Sequence, residues 1–433
     1  MKFCILTLGC KANQAESSYI ENLLLQNANT QVTLNELPDV CIINTCSVTA
    51  KSDYQSRQLI RRAIRAGSKV FATGCYAEVN KGELRSISED ISIISNRDKL
   101  LHFLDSDVVS KPANAASLDK VLPVFNKSGR SRALLKIQDG CNSSCSYCII
   151  PQTRGRSISR PVSEVVEEAK ELELGGYNEV VLTGIHIGYY GLDLIPKVPL
   201  SDLVESILKG TSKIRVRLTS IEVNEITEAL IELLKDERLC RHVHVPLQCG
   251  DDKILKDMNR GYRTAEFSRM LFNIHGIIDN AAIGTDVIVG YPGEDSESFD
   301  RTHGFLSGLP LTYLHVFPFS RRKGTRAFNL SAQVGEEDKK QRVLLLRRMS
   351  DVKKAEFMAK QVGRVLPAIV EKPVSASEEM SGGVVFYATT DNYLKVELED
   401  GDNLRKPKER SLVNVQVTGL CNGLLKAAWY LRQ

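Results

Sequence analysis

The sequence predicts an α/β protein built from three successive domains. Its 433 residues exceed the length that one hydrophobic core usually supports. Short apolar runs alternate with helical patterns up to about residue 319, which indicates parallel sheets with right-handed crossovers. From Leu366 onward the segments are short, β-branched and separated by Gly, Asp, Asn and Pro, a pattern typical of a small antiparallel β-barrel.

Composition limits the class of protein. Apolar residues at 42% and charged residues at 25% are ordinary for a soluble globular protein, and a net charge of +4 does not by itself indicate nucleic acid. No apolar segment approaches the roughly 20 residues of a membrane-spanning helix, so we expect a cytoplasmic protein with no membrane partner. Eleven cysteines spread over a long chain do not fit a secreted disulfide scaffold, which favours metal or cluster ligation.

The N-terminal domain is predicted over residues 1–110. Its strand candidates FCILTL, VCIIN and VFATG alternate with helical patterns and are followed by Cys10, Cys46 and Cys75. Because the carboxyl ends of parallel strands meet at one edge of a sheet, we expect these three cysteines to converge. Burial as small apolar side chains is the alternative, and we assign it to the remaining scattered cysteines, Cys4, Cys41, Cys240, Cys249 and Cys421.

A polar segment from 106 to 132 predicts a linker to the second domain, expected over 127–357. This domain contains six strand candidates separated by helical patterns: LLKIQ, EVVLTGI, IRVRLTS, HVHVPLQ, AIGTDVIVG and YLHVFPFS. Six β/α units predict a partial (β/α)6 barrel, a fold that works at the carboxyl ends of its strands. A charged helix is predicted over 336–361, and five strand candidates predict the C-terminal barrel over 361–426.

Three cysteines with C-x3-C-x2-C spacing, Cys141, Cys145 and Cys148, follow the first strand of the second domain. Thiolates select zinc, copper(I) or iron–sulfur clusters. A structural zinc site needs four ligands, and no fourth cysteine or histidine lies nearby in the sequence. A cubane cluster on three thiolates would leave one iron open for a small chelating ligand. Simple burial or zinc binding remains the alternative.

The segment CNSSCSYC, with Tyr147 before its last cysteine, resembles the motif of the radical S-adenosylmethionine (SAM) enzymes. The resemblance implies a 4Fe–4S cluster whose open iron binds SAM and whose electron cleaves it to a 5′-deoxyadenosyl radical. The stretch GTDVIVGYPGE resembles the strand and glycine turn that hold the adenine, which implies cofactor contacts at Gly290 and Gly293. An ordinary buried strand with a Gly-Pro turn is the alternative. The family's Gly-Gly-Glu motif is absent, since the second strand ends in LTGIHIG.

Nearly the whole chain resembles the methylthiotransferases, through TLGCKANQ, NTC, RLTSIE, HVPLQ and DVIVG. The GCKAN opening, TGIH and LHVFPFSRRKGT are similar to the branch that acts on threonylcarbamoyladenosine in tRNA. The resemblance implies a second 4Fe–4S cluster on Cys10, Cys46 and Cys75, two molecules of SAM, and methylthiolation at carbon two of the nucleoside next to the anticodon. It also implies a low-potential electron donor, flavodoxin or ferredoxin, and a C-terminal TRAM RNA-binding domain.

Other acceptors remain open: isopentenyladenosine in tRNA, or a ribosomal protein side chain. A non-enzymatic RNA-binding metalloprotein is the third alternative. Clusters of basic residues near the predicted strand ends favour contacts with RNA phosphates, although single charge runs are usually solvated faces. These residues are Arg57, Arg61, Arg65, Lys69, Arg154, Arg156, Arg160, Arg321, Arg322, Lys323 and Arg326. Four aromatic residues of the C-terminal barrel could stack on bases or pack in its core: Phe386, Tyr387, Tyr393 and Trp429. The sequence assigns no catalytic side chain.

Overall fold

The computed structural model describes residues 1–105, 130–375, 384–399 and 407–430, so most of the predicted linker lies outside it. The N-terminal sheet is entirely parallel, with the order β2-β1-β3-β4-β5. Its strands are β1 Lys2–Thr7, β2 Thr30–Gln31, β3 Val40–Thr45, β4 Lys69–Gly74 and β5 Ser92–Ile93. The helices are α1 Lys11–Gln26, α2 Ala50–Arg65, α3 Cys75–Val79, α4 Lys81–Ile87 and α5 Lys99–Asp105.

The central strand β3 explains why this sheet is parallel. All six of its residues are buried, with Ile42 packed in one hydrophobic cluster and Ile43 in another on the opposite face. A strand that is apolar on both faces fits a sheet covered by helices on both sides. The predicted strands β1, β3 and β4 are confirmed, while the sequence pattern did not predict the two-residue edge strands β2 and β5.

The second domain contains all six predicted strands: β6 Ala133–Lys136, β9 Glu179–Thr183, β10 Arg215–Leu218, β11 His242–His244, β12 Ala282–Val289 and β13 Tyr313–Pro318. They form two parallel three-stranded sheets, which the parallel bridges Val216–Leu239 and Ser220–His244 connect into one curved array. A small antiparallel pair, β7 Gln138–Asp139 and β8 Ile158–Ser159, lies beside β6. The predicted partial barrel is therefore confirmed.

The helices of this domain are α6 Ile150–Arg154, α7 Val162–Leu174, α8 Leu200–Gly210, α9 Glu228–Leu233, α10 Asp252–Asp257, α11 Thr264–Ile277, α12 Ser296–Ser307 and α13 Glu336–Ala359. Helix α6 packs against α3 of the N-terminal domain, whereas the longer ones cover the outside of the array. Alternate strand residues point to them, as Val180 and Leu182 do within the main hydrophobic core. Val181 lies between these two and therefore faces the concave side. Within the described residues, no helix is long and apolar enough to cross a bilayer.

The C-terminal domain is a closed barrel of five strands with a short sixth strand at its edge. Its elements are β14 Val365–Val370, β15 Val374–Ser375, β16 Val384–Thr390, β17 Lys395–Leu398, β18 Leu412–Cys421 and β19 Leu424–Tyr430. Pairing of β14 with both β18 and β16 closes the barrel. The predicted fold is confirmed, with one refinement: β17 and β19 pair in parallel, while the other neighbours are antiparallel.

Candidate functional site

Cys10, Cys46 and Cys75 lie at the carboxyl ends of three neighbouring strands, β1, β3 and β4. Cys46 and Cys75 are buried, while Cys10 is exposed. The three side chains are close enough to interact: burial raises the pKa of Cys46, and Cys75 and Cys10 add to that effect. The structure therefore brings the first predicted set together.

Two glycines give this trio room. Gly9 adopts φ +92°, and a Cβ placed there would lie 2.8 Å from both the Cβ and the Sγ of Cys46. Gly74, at φ +93°, would place its Cβ 2.3 Å from the backbone oxygen of Thr45. Both positions combine a left-handed backbone with a close approach, which only glycine accommodates without strain.

Two asparagines fix the backbone around the trio. The side chain of Asn13 donates to the backbone oxygens of Leu8 (2.8 Å) and Thr45 (2.9 Å), each close to a cysteine. The side chain of Asn44 donates to the backbone oxygen of Asn13 (2.9 Å). These buried amides link the loop that carries Cys10 to the loop that carries Cys46.

The second trio, Cys141, Cys145 and Cys148, occupies the loop that follows β7, at the corresponding edge of the barrel. All three are partly buried. Burial raises the pKa of Cys148 to about 12, and Cys145 and Cys141 contribute in the same direction. The Cys148 thiol is protonated at neutral pH unless a metal binds it, because a coordinating ion deprotonates a thiol outright.

Charged residues from other strand ends surround the second trio. Nδ1 of His186, after β9, lies 3.2 Å from the sulfur of Cys141, and its Nε2 lies 2.7 Å from a carboxylate oxygen of Glu225, after β10. Burial lowers the pKa of His186, but hydrogen bonds to Cys141 and Glu225 outweigh it and raise this pKa to about 10. Arg260 donates to the sulfur of Cys145 (3.1 Å) and is paired with Glu222.

Each trio offers three thiolates, which are soft donors that suit iron–sulfur clusters or zinc. All described cysteines are free thiols, and neither trio has a fourth cysteine. A tetrahedral zinc site, with Zn–S of about 2.3 Å, holds its sulfurs roughly 3.8 Å apart. Among the described residues, a different group, His244, Asp286 and His315, has its ligand atoms all within 4.8 Å of one another. Neither cysteine trio meets this limit among the described residues, so the sulfurs are not drawn together as a single tetrahedral zinc ion requires.

A buried ion network connects the two trios. Arg154, six residues after Cys148, donates to Glu16 of α1 (2.5 Å), to Asp139 (3.0 Å) and to the side chain of Asn13. Glu16 also accepts from Lys99 (2.5 Å) and Lys136 (2.6 Å). Helix α6, which carries Arg154, packs against α3, which begins at Cys75. Both trios therefore lie beside the same interdomain contact.

The predicted glycine turn has a structural explanation of its own. Gly290 directly follows β12 at φ +74°, and a Cβ there would lie 2.4 Å from the side chain of Lys339 in α13. Its N–H donates to the buried carboxylate of Glu294 (2.5 Å), which Arg342 also contacts. Gly293 adopts φ +89° and has open space beside it. Contact of either glycine with SAM remains a prediction.

The concave face carries the His244, Asp286 and His315 group, which no motif had marked as a unit. Asp286 Oδ1 lies 3.0 Å from Nε2 of His244 and 3.2 Å from Nδ1 of His315. Burial alone would raise the pKa of Asp286, but its hydrogen bonds to the two histidines lower it well below its usual range. The three side chains satisfy one another as a hydrogen-bonded group.

Two arginines predicted to contact RNA phosphates are engaged elsewhere, so the prediction is wrong for them. Arg154 is fully buried in the network with Glu16, and buried Arg322 is paired with Asp53 and donates to Ser47. Arg160 is paired with Glu168 (2.6 Å), which limits its role as well. Seven of the predicted cations are exposed and without an ion-pair partner in the described chain: Arg61, Arg65, Lys69, Arg156, Arg321, Lys323 and Arg326.

The aromatic residues of the C-terminal barrel divide into two groups. Phe386 and Trp429 pack against the barrel core, and Tyr387 lies under the ammonium of Lys395 (3.8 Å to the ring centroid). Tyr393 instead points toward the second domain, with its ring 4.4 Å from that of His242. The core-packing alternative therefore holds for Phe386 and Trp429.

Sequence reasoning missed Lys11, Glu16 and Arg260 as site residues. Lys11 and Glu16 lie on the first helix, directly after a predicted cysteine ligand, and an acidic residue on the buried face of α1 was a usable signal. Arg260 lies in an unremarkable loop after α10, and nothing in the sequence connects it to Cys145.

Two family models match this chain, one over the N-terminal domain and one over the barrel. The model of the radical SAM superfamily matches residues 135–306, and the model named uncharacterized protein family UPF0004 matches residues 2–95. The structure of the radical SAM methyltransferase TsrM from Kitasatospora setae, with cobalamin and a 4Fe–4S cluster bound, superposes with a TM-score of 0.52. It is 15% identical and covers 76% of this chain and 77% of that one, so it supports the fold alone.

Two curated relatives match over most of their length. The threonylcarbamoyladenosine tRNA methylthiotransferase MtaB of Bacillus subtilis (strain 168) is 38% identical over 406 residues, 90% of this chain and 88% of that protein. The protein of the same name from Aquifex aeolicus (strain VF5) is 35% identical over 389 residues, 86% of this chain and 93% of that protein.

Proposed function

Because this chain belongs to the radical SAM methylthiotransferases, enzymes that transfer a methylthio group, we propose that it modifies carbon two of threonylcarbamoyladenosine in tRNA. The proposal includes two 4Fe–4S clusters, one on Cys141, Cys145 and Cys148 and one on Cys10, Cys46 and Cys75, and two molecules of SAM. A low-potential flavodoxin or ferredoxin would supply the electrons.

The observation that carries the proposal is the placement of two three-cysteine sets at strand ends beside one interdomain contact. When bound, the clusters and SAM would supply a radical and a sulfur atom, and thereby a route to an aromatic C–H bond that has no polar chemistry at neutral pH. The chain's own residues hold the geometry: Asn13 and Asn44 fix the first set, and Arg260 and His186 contact sulfurs of the second.

Exposed cations support RNA as the substrate class. Helix α2 presents Arg61, Arg62 and Arg65 to solvent without ion-pair partners among the described residues. The loop that carries Lys323 and Arg326 contacts the first turn of this helix, because Ser320 accepts from the backbone N–H of Ala50 (3.1 Å). Exposed cations of this kind are suited to RNA phosphates, and a small antiparallel barrel such as the C-terminal domain is a form often used to bind oligonucleotides.

Iron and acid-labile sulfide per chain, measured after anaerobic purification, test the cluster assignment. We expect two four-iron clusters in the wild type and one in Cys46→Ala. Cys41→Ala is the matched control, because Cys41 lies on β3, the strand that precedes Cys46, and packs in the hydrophobic core, so this variant should retain both clusters. Equal iron in the wild type and Cys46→Ala would overturn the second cluster.

The acceptor is tested separately. Incubation of the enzyme with SAM, reductant and tRNA that carries threonylcarbamoyladenosine, followed by digestion to nucleosides, should yield the 2-methylthio derivative. A protein side-chain acceptor predicts no methylthio nucleoside under these conditions.

A further inference from the structure

A cavity of about 490 Å³ lies where the three domains meet, beside the first turn of α1. One wall is a row of three residues on the concave face of the barrel sheet: Leu134, Val181 and Arg217 are direct neighbours across β6, β9 and β10. The C-terminal barrel supplies Tyr393 on the opposite side, and α1 supplies Lys11, the residue after Cys10.

The charge of this cavity is strongly unbalanced. Its lining contains a single carboxylate, Glu371. It also contains five cations: Lys11, Arg130, Arg132, Arg217 and Lys372. Glu179 lies on the same face of β9 as Val181 and is already shared between Arg217 (2.6 Å) and Arg215 (2.8 Å).

Three of the lining cations are poorly neutralised. Lys11 makes no hydrogen bond or ion pair within the described part of the chain, and its ammonium lies 5.7 Å from the ring centroid of Tyr393. Arg132 approaches Glu179 and Glu371 only at 4.0 and 3.9 Å. Arg130 donates to the neutral side chain of Gln14 (2.5 Å). Partly buried cations without partners are unfavourable unless an anion binds among them.

The combination of an apolar wall with a cationic rim selects the type of anion. Leu134 and Val181 offer aliphatic surface, and the cationic groups of Lys11 and Arg132 each lie 5.7 Å from the ring centroid of Tyr393. A small organic carboxylate has both an aliphatic and an anionic part, whereas the phosphates of a tRNA backbone are polar on every side. The position of Lys11 next to Cys10 places the cavity beside the proposed site of sulfur transfer.

We infer that this cavity binds the carboxylate of the threonylcarbamoyl group of the substrate nucleoside, with Lys11 and Arg132 as specificity-determining residues. This inference rests on the proposed function, because the substrate is named there. According to this inference, residues at the junction of the three domains distinguish a nucleoside with an anionic side chain from one with a neutral side chain. Charge-assisted hydrogen bonds to a carboxylate provide the discrimination.

The test measures binding of short anticodon stem–loops to the anaerobic holoenzyme by fluorescence anisotropy. One RNA carries threonylcarbamoyladenosine and a second carries its methyl ester, which removes the charge and keeps the shape. We expect the wild type to bind the free acid about tenfold to a hundredfold more tightly than the ester. Lys11→Gln should bring the two affinities to within about threefold of each other by weakening the acid alone.

Lys209→Gln is the control, because it removes one cation from an exposed helix position remote from the cavity lining and should keep the wild-type preference. Arg132→Gln should resemble Lys11→Gln. If Lys11→Gln weakens the acid and the ester equally, the residue serves a phosphate or the fold, and the inference is overturned. A wild type that does not distinguish the two RNAs overturns it as well.

The proposed function is tested on the same RNAs: after reaction with the enzyme they are digested to nucleosides, and the methylthio product is measured. Preferential binding of the acid without any methylthio product would contradict the proposed reaction and still support the carboxylate site. Product formation with equal binding of acid and ester would contradict the carboxylate site alone.

Discussion

At the scale of single residues, the arrangement of Cys10, Cys46 and Cys75 depends on the absence of a side chain at Gly9. Gly9 leaves the space that the side chain of Cys46 occupies, and its φ of +92° is one that other residues rarely adopt. Asn13 then holds the same loop through two backbone oxygens. The cysteines supply the sulfur ligands, and Gly9 and Asn13 determine how these ligands are oriented.

Gly9→Ala should therefore displace Cys46 and abolish the proposed N-terminal cluster, because the new Cβ would lie 2.8 Å from the sulfur. Iron and sulfide per chain should fall from two clusters to one. Gly67→Ala is the matched control: its φ is +77°, but its Cβ meets nothing within 4 Å. The control should cost about 1 kcal/mol of stability through backbone strain and leave the iron content unchanged. Equal iron loss in both variants would contradict this account.

At the scale of secondary-structure elements, helix α1 organises the interface between the first two domains. Its buried Glu16 accepts from Lys99 of the same domain and from Lys136 and Arg154 of the barrel. Burial raises the pKa of Glu16, but the three cations outweigh it and hold this pKa well below its usual range. One carboxylate thus accepts hydrogen bonds from cations on three separate elements.

Glu16→Gln should destabilise the protein by about 3–5 kcal/mol, because it leaves the buried ammonium of Lys99 without a counter-charge and leaves Lys136 and Arg154 to share Asp139 alone. Denaturant unfolding of the metal-free protein measures this change. Glu164→Gln removes a carboxylate of the same type from an exposed pair with Arg160 (3.7 Å) and should cost less than about 1 kcal/mol. The interface account fails if both substitutions have the same small effect.

At the scale of the whole molecule, a second buried carboxylate joins the barrel to the C-terminal domain. Glu179 accepts from Arg217, and Arg217 also donates to the backbone oxygens of Thr390 and Asp391. Burial raises the pKa of Glu179, but Arg217 and Arg215 outweigh it and lower this pKa to about 2. The docking of the C-terminal domain thereby depends on an ionised glutamate.

This linkage predicts a pH dependence with a definite sign. A carboxyl group with a lowered pKa contributes stability above its unfolded pKa of 4.5, and that contribution is lost as the pH falls toward about 2. The loss amounts to about 3 kcal/mol. Unfolding of the metal-free wild type, followed through the fluorescence of the single tryptophan, Trp429 in the C-terminal barrel, should show this slope.

Glu179→Gln should be less stable at pH 6, and the difference from the wild type should shrink as the pH falls below 4.5. A difference that stays constant from about pH 6 to about pH 2.5 would show that the ionisation of Glu179 does not contribute.

The order of the main strands and helices, the six units of the barrel and the location of all six clustered cysteines could be predicted from the sequence. These features are local: alternation of apolar runs decides the strand type, and a cysteine directly after a parallel strand must lie at the sheet edge. The family motifs are local as well, which is why short stretches of sequence suffice to identify the class of enzyme.

The packing of the domains, in contrast, sets which charged side chains face solvent and which face each other. Arg154 and Arg156 belong to the same basic run, yet Arg154 is buried against Glu16, 138 residues earlier, while Arg156 is exposed. The cavity of Lys11 and Tyr393 likewise joins residues from opposite ends of the chain. The physical reason is that the partner of a charged side chain depends on how separate domains pack, and composition and spacing within one segment contain no record of that packing.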